Sequence, residues 1–140
     1  MKILNPLLIA LCVTVMSCED DVLDGPLKIG ETTTFYYEIP CPDANEQFVV
    51  VFDQLIQDSR CGTGLECIWE GIGIIKLTKT TDAETADITL STFDWEEYSN
   101  SRVVDGLRFT LVSLKPHPKG EKPTEAANYS AEVLIESVDE

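Results

Sequence analysis

Basic side chains are scarce in this chain: 10 Lys and Arg stand against 25 Asp and Glu, for a formal net charge of −15. Phosphate contacts need clustered Lys and Arg, so the balance argues against a nucleic-acid partner. Histidine is scarcer still, with 1 residue, His117, set between Pro116 and Pro118. That removes histidine clusters for zinc and redundancy for a triad, and leaves His117 as a rigid, solvated loop residue. There is no G-x-S-x-G elbow, no glycine-rich phosphate loop and no H-E-x-x-H helix. Asp82, Glu84 and Asp87 lack the spaced D-x-D-x-D-G order of a calcium loop. Neither a metal nor a cofactor is expected. Helical periodicity is missing too, since no stretch of about ten residues carries an apolar stripe at that spacing.

The apolar residues that are present fall into two patterns. The first is a leader. Lys2 is followed by an apolar stretch over residues 3–16, about fourteen residues and short of the ~20 that a permanent membrane helix needs. The stretch ends in Val15-Met16-Ser17-Cys18, which resembles the lipobox of bacterial lipoproteins. Ser17 supplies the small residue at the cut and Cys18 the thiol that takes diacylglyceryl, while Val15 and Met16 stand where Leu and a small residue are commonest. The resemblance implies a signal peptide at 1–17 and an acylated Cys18 as the first mature residue, with its fatty chains (palmitate among them) holding the protein to a membrane. Each buried methylene adds about 0.8 kcal/mol to such an anchor. Residues 18–30 open with Glu19-Asp20-Asp21 and Asp24 and read as a solvated acidic tether. An acidic run directly behind the modified cysteine also resembles export signals of some Gram-negative lipoproteins, which implies the cell outer membrane.

The second pattern, from residue 31 to 140, has a period of two. Thr33, Phe35, Tyr37 and Ile39 alternate with polar neighbours. Residues 48–56 are apolar on both parities, residues 67–80 are long enough for a bent strand with Gly71 and Gly73 on one parity, and Ala86, Ile88 and Leu90 alternate cleanly. Asp105-Gly106 between Val104 and Leu107 is a type I′ hairpin signal. The following strand changes parity near Val112, where a bulge is expected. Tyr129, Ala131, Val133 and Ile135 make the last run, and Pro116, Pro118 and Pro123 confine residues 115–128 to a loop. About six to seven strands without a helix predict an all-β domain, an antiparallel β-sandwich with a small β-barrel as the alternative.

With Cys12 in the leader and Cys18 assigned to lipid, Cys41, Cys61 and Cys67 remain. The glycine-rich loop Gly62-Thr63-Gly64-Leu65-Glu66 is short and flexible enough to bridge Cys61 to Cys67, leaving Cys41 as the odd thiol. Asp58-Ser59-Arg60-Cys61 followed by Cys67-Ile68-Trp69-Glu70-Gly71 resembles the D-S-R-C-P-x4-C-x-W-x-G signature of uncharacterised bacterial secreted and lipoprotein domains, with Gly62 in place of the usual Pro. Leu111-Val112-Ser113-Leu114-Lys115-Pro116-His117-Pro118 resembles a later pattern of the same group. The resemblance implies a β-rich fold and an exported location, and no activity.

Read physically, Arg60 pairs with Asp58 at a strand end and Trp69 packs over the bridge. The rival reading makes Arg60, Trp69 and Trp95 a binding surface, with Arg60 beside Cys61 able to favour a reactive thiolate if the bridge is open. Trp95 lies among Asp94, Glu96 and Glu97, acids that also suit a hydrolase working with paired carboxylates. The favoured expectation is a non-enzymatic envelope lipoprotein, anchored to the membrane by lipid, that binds an envelope protein or glycan. The alternative is a small envelope hydrolase.

Overall fold

The computed structural model describes residues 25–121 and 124–139; the leader, Cys18 and the first part of the tether lie outside these residues. The described chain is all-β. Its strands are β1 (Thr32–Tyr36), β2 (Pro40–Pro42), β3 (Val49–Asp58), β4 (Gly73–Thr80), β5 (Thr85–Ser91), β6 (Ser101–Val104), β7 (Leu107–Lys115) and β8 (Ser130–Ser137). They form two antiparallel four-stranded sheets, ordered β1-β8-β7-β6 and β2-β3-β4-β5. This is the sandwich arrangement, and the sheets do not close into a barrel. A single 3₁₀ turn, Ala126–Asn128, leads into β8.

Alternation decides which side chains meet between the sheets. Phe35 from β1, Phe109 and Leu111 from β7, and Ala131, Val133 and Ile135 from β8 face Val50 and Phe52 from β3, Ile75 and Leu77 from β4, and Ile88 and Leu90 from β5. Each large apolar side chain so buried contributes about 1.5–3 kcal/mol relative to exposure. Asp105 and Gly106 both have positive φ, 50° and 71°, as the type I′ turn between β6 and β7 demands. The expected bulge is present between Leu111 and Ser113, and it turns Val112 out to solvent.

Several expectations need correcting. The strand predicted to run from Thr33 to Ile39 is broken: Glu38 takes φ 59°, Tyr37 sets its ring edge-on against Phe52 at 5.4 Å, and the chain leaves one sheet for the other. The short β2 that follows was not legible, because prolines flank its one buried residue, Cys41. The count is eight strands among the described residues, not six to seven. The strand predicted over residues 67–80 begins at Gly73; the residues before it form a loop. Leu27, assigned to the tether, is 1 % exposed and in the core, held by backbone bonds to Pro42 and Ala44.

Polar contacts pin both ends of the sandwich. At one end the Lys79 ammonium, on β4, meets Asp105 Oδ2 at 2.6 Å and lies over the Phe48 ring. Nearby, Asp43 accepts the backbone N–H groups of Asn45, Gln47 and Phe48. Burial raises the Asp43 pKa, but those N–H groups outweigh it and hold the carboxyl below its usual range. The opposite end carries the cystine loop and the candidate site.

Candidate functional site

The β3–β4 connection continues the hairpin past its last strand pair, Asp58 with Gly73. Ser59 N–H donates to the Ile72 carbonyl at 2.9 Å and Cys61 N–H to the Glu70 carbonyl at 2.7 Å. Beyond that stem the Cys61–Cys67 disulfide closes the tip, with Cα atoms 6.0 Å apart. Gly71, at φ 73°, lies so close to the Ser59 carbonyl that any Cβ would collide with backbone, a close approach of two backbones that glycine allows. Gly73 is crowded by Leu114 and Thr92.

Beneath the stem is a buried polar knot. Arg60 Nε and Nη2 clamp the two oxygens of Asp58, each at 2.7 Å. Nη1 donates to the Leu114 carbonyl at 2.7 Å and Nη2 also donates to the Pro116 carbonyl at 2.9 Å. Tyr129 Oη donates to Asp58 Oδ2 at 2.6 Å. The Arg60 and Asp58 side chains are only 10 % and 5 % exposed. Burial pushes the Asp58 pKa up, but Arg60 and Tyr129 more than offset it and hold the carboxyl below its usual range. Burial and the bond to Asp58 push the Tyr129 phenol above its usual range. The knot therefore ties the end of β3 to the end of β7 and the start of β8. A cleft of about 430 Å³ opens beside it, lined in part by Gln57, Pro118, Thr124 and Tyr129.

Trp69 goes the other way. It is 46 % exposed rather than buried in a core, and its ring meets that of Trp95 with centroids 5.4 Å apart and planes tilted by 47°. Trp95 reaches this place because the β5–β6 loop is fastened to the stem. Thr92 N–H donates to the Gly73 carbonyl at 2.9 Å, and Thr92 Oγ1 accepts from Gly73 N–H at 3.1 Å. Trp95 and Tyr98 then exchange backbone bonds of 2.9 Å across Glu96-Glu97, with Glu96 at φ 52°. Asp94 secures the turn by accepting from Ser99 Oγ at 2.8 Å and Asn100 N–H at 2.9 Å. The Asn100 and Ser99 bonds hold its carboxyl below the usual range. Trp95 is also 46 % exposed, and Ile68 beside Trp69 is fully exposed. The result is an apolar ledge on a rigid base.

Of the sequence-predicted surface, the structure brings Trp69 and Trp95 together and turns Arg60 away, its guanidinium already holding four hydrogen bonds. Cys61 is in the bridge rather than a free thiol. Cys41 is free and buried, and burial raises its pKa. His117 is exposed, with Nε2 2.8 Å from the Cys61 carbonyl oxygen. Asp82 and Glu84 lie at the β4–β5 turn, and Asp87 lies on β5 with Oδ1 3.4 Å from Thr78 Oγ1. Sequence reasoning missed Tyr129 as a partner of Asp58 and read it as the first residue of an apolar run. No family model, curated protein or solved structure matches this chain.

Proposed function

We propose that this protein is a non-enzymatic binding module, anchored by lipid at Cys18 to the cell envelope (the outer membrane in the favoured address), that engages its partner through the Trp69–Trp95 ledge. The anchor rests on Val15-Met16-Ser17-Cys18 and the acids behind it. The binding role is carried by one observation: two tryptophans from separate loops are in contact while each stays nearly half exposed. Indole pairs serve a core when buried; held at the surface on a braced loop, they offer a large, stiff contact area whose ordering has already been achieved. The hydrolase reading finds no support at Trp95, where Asp94 is committed to its own turn.

Two measurements test this. Labelling with a fatty-acid analogue should mark the wild type and miss Cys18→Ala, which should leave the membrane fraction; an unlabelled, soluble wild type sinks the anchor. Crosslinking in native envelopes should yield an adduct with wild type that is lost in Trp69→Ala/Trp95→Ala. An unchanged adduct would sink the ledge as the binding face.

A further inference from the structure

Four carboxylates adjoin the ledge residues along the chain. Glu66 and Glu70 flank Ile68 and Trp69 on the cystine loop, Glu96 and Glu97 follow Trp95 on the other, and all four are exposed. Arg102, on β6 just after that loop, donates to the Glu97 backbone carbonyl at 3.1 Å rather than to one of these carboxylates. Resting on the binding reading above, we propose that the ledge takes a cationic protein segment, with Arg or Lys side chains laid against the indole faces and held by Glu66, Glu70 and Glu97.

Three features favour that partner. A guanidinium over an indole within about 6 Å of its centroid is attracted by the ring's negative face, and carboxylates at the rim add charge-assisted hydrogen bonds that fix its orientation. The ring pair is tilted, with centroids at 5.4 Å, so the indoles lean on each other and form a wedge; a sugar chain stacking on both would need two faces side by side in one plane. The acid rim also opposes docking onto an anionic lipid surface, even though the projecting Ile68 and indoles are apolar enough for one.

The chain has 2 tryptophans and both stand on the ledge, so tryptophan emission, excited where tyrosine does not absorb, reports this site alone. The experiment titrates the full chain, extracted in a neutral detergent, with a short alternating Gly-Arg peptide. A saturable emission change is expected, and it should weaken as salt rises to physiological strength, where the Debye length falls to about 8 Å. Glu66→Gln/Glu70→Gln/Glu97→Gln should weaken it at least about tenfold, whereas Glu46→Gln/Asp82→Asn/Glu84→Gln, the same charge change at the far end of the sandwich, should weaken it less than about twofold. Equal weakening by both triples would overturn the proposal in favour of non-specific attraction to an acidic protein. So would silence toward the Gly-Arg peptide with a saturable response to a neutral β-linked glucose oligosaccharide or to phosphatidylglycerol vesicles. Either result changes the partner and leaves the ledge as a binding face; only an envelope adduct indifferent to Trp69→Ala/Trp95→Ala removes the face itself.

Discussion

Arg60 and Trp69 sit on the same cystine-closed loop, and the structure gives them opposite fates. Arg60 points inward, with four of its five N–H donors taken up by Asp58, Leu114 and Pro116. Trp69 points outward, its ring against that of Trp95 and nearly half of its surface in solvent. The difference follows from what each side chain costs when buried. A guanidinium taken out of water must have its charge and donors met, so a buried arginine draws a framework around itself. An indole can stay at the surface without a comparable penalty. A charged residue in a motif can therefore be framework while an aromatic residue in the same motif is the contact. Changes in the knot should therefore cost stability, and changes on the ledge should cost binding.

The largest effect should come from the knot. Arg60→Ala leaves the Asp58 carboxylate buried without its main partner and should lower unfolding free energy by about 3–5 kcal/mol, read by urea denaturation. An unchanged midpoint would end the division between the two residues. The pH dependence has a defined sign. Asp58 is held below its usual pKa, so its contribution is complete above the unfolded value near 4 and is lost as pH falls through the folded value. Tyr129 is held above its usual pKa, so its contribution is complete below about 10 and is lost as pH rises through the folded value. Asp58→Asn should flatten the acid limb of a stability-versus-pH curve; a limb of unchanged slope would show that other carboxylates set it.

Next in size is Gly71→Ala. The position combines φ 73° with a clash against the Ser59 backbone, so the stem must open, at about 2–3 kcal/mol. Because the stem carries the ledge, this is the change that should reach both readouts, lowering the melting temperature and loosening Trp69. Cys61→Ala/Cys67→Ala should cost about 2 kcal/mol, as expected for closing so short a loop. Calorimetry of oxidised and doubly substituted protein measures it, and equal melting temperatures would show that the hydrogen-bonded stem alone holds the tip.

Those predictions lean on contacts of different visibility in the sequence. Strand β5, the β6–β7 hairpin and β8 were legible because each is a local pattern: alternation, an Asp-Gly turn, a parity change at Val112. The Asp58–Arg60 pair was legible for the same reason, being two residues apart. The break at Glu38 was not, because the alternation of Thr33, Phe35, Tyr37 and Ile39 carries straight through it, and what ends the strand is the Tyr37 ring meeting Phe52 from another strand. Nor was the rest of the knot: Tyr129 is 71 positions from Asp58, and the Leu114 and Pro116 carbonyls leave no mark on residue type. Trp69 and Trp95 could each be flagged as an aromatic in a loop. Their contact depends on Thr92 bonding to Gly73, a backbone arrangement that only the fold reveals.

The smallest stability effect, and the sharpest test of the comparison, belongs to the ledge. Trp69→Ala and Trp95→Ala each remove a ring whose only described aromatic neighbour is the other, and both rings are half in solvent. Each should therefore cost about 1 kcal/mol or less in unfolding free energy. Binding should respond differently. Each ring limits the rotamers of the other, so removing one leaves the second free to swing, and the single variants should lose nearly as much affinity as the double. A double-mutant cycle measures this as a coupling energy for binding that is large beside the coupling for stability. The emission of each single variant checks the cause independently: the surviving indole, deprived of its neighbour, should shift to the red and lose anisotropy as it enters water. Independent, additive losses in binding with unshifted emission would mean that the two rings touch without supporting each other, and that the ledge is two separate contacts.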